Sequence, residues 1–371
     1  MRKLFLFLLV ALVALVTACS NSASTNEQTD EKTDQQATNE DESKESDKKA
    51  EKKNEEKEVA QPFEALAPSK DAKPLKETMT EEELAKMPVV EAHGEDRTRK
   101  TPVGETLMEG TTDETDGILK DYRLVAYYGQ PNSTQMGILG EMEPEALMTK
   151  LKEQTQAYSD ADPDRPAIPT IELITTIAQR EPGPNGKYYH MTSEEDIDEY
   201  AELAKKHNAI LMLDVQLGRD TALHQVQLLE KWLKLPYVHV AIDTEFHVKE
   251  GQTPGIDLGS VDGSEVQEVV DYVSKFVEEN DLPDKIVLVH QFTDHAVTNK
   301  QAIKPTDNVE VALNFDGYGD YGTKMSLYRK FVRNEPVQYG GFKIFYNKDK
   351  PVLTPAEVLQ LDPNPAIINY Q

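Results

Sequence analysis

The stretch Val238-His-Val-Ala-Ile-Asp-Thr-Glu-Phe-His-Val248 decides the fold. Val238, Val240 and Ile242 share one parity, and His239, Ala241, Asp243, Glu245 and His247 share the other. Side chains of a strand alternate between its two faces. The apolar set can therefore pack outward on helices while the polar set points the other way. In a closed ring of parallel strands that direction is the barrel axis, and the polar groups at the C-terminal strand ends form the rim. A glutamate two residues after an aspartate, with a histidine two further on, is equipment for proton transfer.

The same kind of unit recurs on both sides. Apolar runs at Arg123–Tyr128, Ala167–Ile174, Ala209–Val215, Lys285–His290, Val309–Asp316, Gly341–Tyr346 and Pro365–Tyr370 read as strands. Amphipathic or capped segments lie between them, such as 264–280 with Val266, Val269, Val270, Val273 and Phe276 on one stripe. Eight continuous apolar strands separated by helices or loops predict an α/β chain with a parallel (β/α)8 architecture, a TIM barrel over residues 122–371. An open doubly wound sheet would carry a glycine-rich phosphate turn after its first strand, and the sequence has none there.

The chain before the barrel divides into three. Residues 1–18 read as a secretory signal, with Arg2-Lys3 ahead of an apolar run from Leu4 to Val16. Residues 19–60 are charged and polar and cannot bury enough surface to offset ordering entropy, which predicts a disordered tether. Residues 61–121 read as an N-terminal extension packed on the barrel, with a capped helix at Thr80–Glu83. Val16-Thr-Ala-Cys19 resembles the lipobox of bacterial lipoproteins, and Cys19 is the only cysteine. The resemblance implies lipidation of Cys19 and an anchor on the outer face of a cell membrane; the Lys/Glu-rich tether suggests a Gram-positive envelope. A formal net charge of −27 excludes nucleic acid as a partner. The expected partner is a surface or wall polysaccharide.

Strand parity nominates the groups that converge at the mouth: Glu172, Asp214, Asp243, Glu245 and Asp316 as acids, with Tyr128, Gln216, His247, His290, Asn314, Tyr346 and Tyr370 as substrate contacts. Polar groups ending so many apolar strands are costly to bury without a use. Crowded carboxyls raise one another's pKa, which suits a proton donor, and two carboxyl functions are what glycoside hydrolysis requires.

Ile242-Asp-Thr-Glu245 is similar to the tail of the chitinase-type family-18 strand-four motif. The resemblance implies Glu245 as proton donor and Asp243 as its partner. Val238 and Ala241 stand where that motif has its two earlier aspartates, and Phe345–Lys348 offers no strand-seven acid. No cofactor and no resident metal are expected. Two other classes stay open: a non-catalytic carbohydrate-binding lipoprotein, and a metal-dependent hydrolase drawing on Asp243, Glu245, His247, His290, Asp294 and His295.

Overall fold

The computed structural model describes residues 62–85 and 98–371. The signal segment, Cys19 and the whole of the tether lie outside the described residues. Eight parallel strands close on themselves: β1 (Arg123–Gly129), β2 (Ala167–Ala178), β3 (Ile210–Gln216), β4 (Val238–Asp243), β5 (Lys285–Gln291), β6 (Val309–Phe315), β7 (Tyr339–Ile344) and β8 (Ile367–Tyr370). Each pairs with its neighbours in sequence, and β1 joins both β2 and β8. The expected (β/α)8 barrel is the fold.

Helices α1 (Pro144–Ala161), α2 (Glu194–Lys206), α3 (Ala222–Gln227), α4 (Gly263–Asn280) and α5 (Tyr321–Tyr328) lie between strands. Their starts follow local chemistry. Pro144 occupies the first turn of α1, where a missing N–H costs nothing. Side-chain oxygens of Ser193, Thr221, Asp262 and Asp320 cap α2, α3, α4 and α5. The α4 stripe read from the sequence is buried. The link from β5 to β6 is the exception, with only a 3₁₀ turn at Lys300–Ala302. A further short helix, Glu230–Leu233, follows α3 after a break at Leu228–Leu229.

At the N-terminal end the preceding chain meets the barrel. Leu66 bridges to Ala167 at the start of β2, and Leu107 to Tyr339 at the start of β7. The Leu119 N–H donates to Glu310 on β6 (2.8 Å). Gly117 lies so close to that carboxyl that a Cβ there would overlap it. Among the described residues no helix is long and apolar enough to cross a membrane.

Candidate active site

Register builds the site. Gln216 of β3 stands opposite Asp243 of β4, Asp243 opposite His290 of β5, His290 opposite Asn314 of β6, and Asn314 opposite Gly341 of β7. On the other side of the ring Tyr128 stands opposite Glu172, and Lys343 opposite Asn369. All of these point into the barrel at its carboxyl end. Gly341 is required here: a Cβ would sit 2.4 Å from Asn314 Oδ1.

The lower layer is closed. His290, fully buried, sets Nε2 2.7 Å from Glu172 Oε1 and Nδ1 3.5 Å from Asp316 Oδ2. Asn369 donates to the other Glu172 oxygen, and the Asn314 amide nitrogen faces His290 Nδ1 at 3.1 Å. Burial opposes charge on His290, but Glu172 and Asp316 outweigh it and hold the imidazole well above its ordinary pKa. Asp214 accepts from the Tyr128 hydroxyl (3.3 Å), and its Oδ1 has no hydrogen-bond partner. Burial and the nearby Asp243 push its carboxyl well above the usual range.

Above this layer opens a cavity of about 270 Å³ at the mouth of the barrel. Asp243, Glu245, Asp316, Gln216, Tyr128 and Lys343 line it, with Phe246, Phe292, Tyr318 and Phe345 among the aromatic residues of its wall. Phe292, Tyr318 and Phe345 pack in sequence, their ring centroids 5.9 and 5.6 Å apart. Burial raises Asp243 to about 6, with Asp316 adding to the rise and His290 and Lys343 opposing it. Burial, then Asp243 and Asp316, carry Glu245 to about 8. At neutral pH Glu245 therefore holds its proton at an open cavity, the state required of a general acid.

Strand parity reached only part of this. Glu245 is not on the strand: β4 ends at Asp243, and Glu245 lies in a 3₁₀ turn, Thr244–Phe246, whose Glu245 N–H donates to Asp243 Oδ1 (3.3 Å). The turn still delivers Glu245 to the cavity. It carries His247 away, with Nδ1 3.0 Å from the Ser260 carbonyl oxygen.

Tyr346 and Tyr370, expected as sugar contacts, lie outside the ring against α1. Tyr370 bonds the Tyr158 hydroxyl (2.7 Å) and receives Gln154 Nε2 (3.1 Å); Tyr346 stacks on Tyr370 (5.1 Å) and donates to Gln154 Oε1 (3.0 Å). The β7 strand ends at Ile344, two residues before Tyr346, and in β8 it is Asn369 that faces inward. Glu172, Asp214, His290 and Asn314 support the floor of the cavity rather than line it. Asp294 instead pairs with Lys330 (2.8 Å) on the surface.

Lys343 is the residue the sequence reading missed. Its signal was a lysine inside the apolar strand Gly341-Phe-Lys-Ile344, as costly to bury as the acids already singled out. The wall residues around it are held by a buried ion pair: Lys324 meets Asp349 and donates to the Lys343 carbonyl (2.8 Å), while Asp349 accepts the Gly319 and Phe345 N–H groups (both 2.9 Å).

No family model matches the chain, and no curated protein matches it. Solved structures that are similar include a GH5-4 broad specificity endoglucanase from Clostridium acetobutylicum, at 11% identity and a TM-score of 0.41, covering 70% of this chain and 90% of that one. A Cellulomonas fimi endo-beta-1,4-mannanase double mutant is similar at 13% identity and a TM-score of 0.36, covering 72% and 70%. Likeness at that level says nothing of the site.

Proposed function

We propose that this is a lipid-anchored, extracytoplasmic, glycoside-hydrolase-like protein acting on a cell-surface or wall glycan. Glu245 is the proton donor, Asp243 its carboxylate partner, and Asp316 the third acid of the cavity; Glu172 and Asp214 act from beneath through His290 and Tyr128. One observation carries the reading: three carboxyl groups meet an aromatic wall in a single open cavity at the carboxyl mouth of the barrel. Aromatic faces suit sugar rings, and the acids suit the glycosidic oxygen.

Incubation with purified wall polysaccharide tests it, with new reducing ends as the readout. Glu245→Gln should lower their release by about 10²–10⁴-fold with the melting temperature undiminished. Retention on the polysaccharide without any reducing ends from the native protein would instead favour a binding lipoprotein. Cys19→Ser should move the protein from the membrane fraction to the medium.

A second reading has one observation behind it. Ligand atoms of Glu172, Asp214 and His290 all lie within 4.8 Å of one another, a spacing a divalent cation can bridge. That position is taken up by the Glu172–His290 hydrogen bond. Loss of activity on chelation, restored by added zinc or manganese, would transfer the assignment to a metal-dependent hydrolase.

A further inference from the structure

Two charged groups of the cavity keep hydrogen-bonding capacity that a ligand could use. The Lys343 side chain is 3% exposed. Its ammonium rests 3.5 Å over the centre of the Tyr128 ring and lines the cavity together with Asp243, Glu245 and Asp316. An ammonium carries three donors and a ring face answers none of them fully. Asp316 is 4% exposed; its Oδ2 faces His290, and its Oδ1 has no partner. A buried carboxylate oxygen with no partner costs free energy unless something else meets it. Both line the one cavity, Lys343 from β7 and Asp316 from just past the end of the adjoining β6.

We propose that Lys343 and Asp316 form a two-point clamp for a vicinal diol of a neutral sugar ring. The inference rests on the glycan reading above and specifies what that glycan presents. An anion would satisfy Lys343 but would meet Asp243, Glu245 and Asp316 in the same cavity. A cation would satisfy Asp316 but would meet Lys343. A hydroxyl is both donor and acceptor, so of two adjacent hydroxyls one accepts from the Lys343 ammonium while its neighbour donates to Asp316 Oδ1. Tyr128 beneath, and the Lys324–Asp349 pair behind, fix the lysine before the sugar arrives, which reduces the ordering cost of binding.

Ligand-observed NMR on the full-length protein tests the clamp, with methyl β-D-glucopyranoside, methyl α-D-mannopyranoside, their 2-, 3- and 4-deoxy derivatives, and glucuronate as probes. At least one neutral glycoside should bind. Removing one particular hydroxyl, Lys343→Met and Asp316→Asn should each weaken it at least about tenfold, as losing a hydrogen bond to a charged group does. Circular dichroism and melting of both variants verify that they fold, and the deoxy series tests the clamp without any substitution. Failure of every probe to bind the native protein overturns the glycan reading and the clamp with it. Binding that survives both substitutions and every deoxygenation overturns the clamp alone. Glucuronate binding more tightly than the neutral sugars, and unaffected by Asp316→Asn, also overturns it, because Lys343 would then be reading an anion.

Discussion

The two ends of the barrel treat buried charge in opposite ways. At the N-terminal end the buried cations are answered, although Glu310 Oε2 and His239 Nε2 have no hydrogen-bond partner. Arg123 donates to Asp162, Asn364 and the Pro365 carbonyl; Lys285 to the Leu235 and Val238 carbonyls; Arg333 to Asp362. Glu310 there takes the Leu119 N–H on one oxygen, and burial holds its carboxyl well above the usual range. At the C-terminal end acids face acids. Asp214 Oδ1 and Asp316 Oδ1 have no hydrogen-bond partner, the Lys343 ammonium rests on a ring face, and the pKa values of Asp214, Asp243 and Glu245 all rise. The first arrangement stabilises a fold. The second costs stability, which is the signature of groups kept for a ligand or a reaction.

Breaking the answered end should give the largest stability effect. Asp162→Ala leaves the fully buried Arg123 guanidinium short of its carboxylate and should cost about 3–5 kcal/mol, read as a fall in the denaturant midpoint. At the mouth the sign should reverse. Asp214, Asp243 and Glu245 bind protons more tightly folded than unfolded, so stability falls as pH rises from about 4 through their raised pKa values. Asp214→Asn should therefore flatten that decline and melt about 2–4 °C above the native protein at pH 8, while reducing turnover.

The pH profile sharpens the comparison within the mouth. Asp243 must lose its proton and Glu245 must keep its own. The kcat/KM against pH should therefore rise through about 6 and fall through about 8, and Glu245→Gln should abolish the alkaline limb. The smallest effect is expected at a tyrosine outside the ring. Tyr346→Phe removes the hydrogen bond to Gln154 and the longer one to the Tyr127 hydroxyl (3.4 Å), and should cost about 1 kcal/mol with kcat/KM unchanged. Tyr318→Ala, on the cavity wall, should instead raise KM.

Where sequence reading succeeded and failed follows strand geometry. Period-two alternation is reliable inside a strand, so Glu172, Asp214, Gln216, Asp243, His290 and Asn314 were legible as inward groups. It ends where the strand ends. His247 lies beyond the turn at Thr244–Phe246, and Tyr346 beyond the end of β7 at Ile344. In β8 the pair Ile367-Ile368 is apolar on both faces, so nothing local chose between Asn369 and Tyr370.

The sequence by itself determined the closed ring of parallel strands and the set of acids at its mouth, because apolar periodicity and polar strand ends are local properties of the chain. It also supplied the reading of Cys19 and the tether. Only the tertiary structure decided which acids open onto the cavity and which lie beneath it, and that Lys343 stands among them. Depth in a barrel and the company of a charge depend on the register between strands far apart in the chain, and no single strand encodes that register.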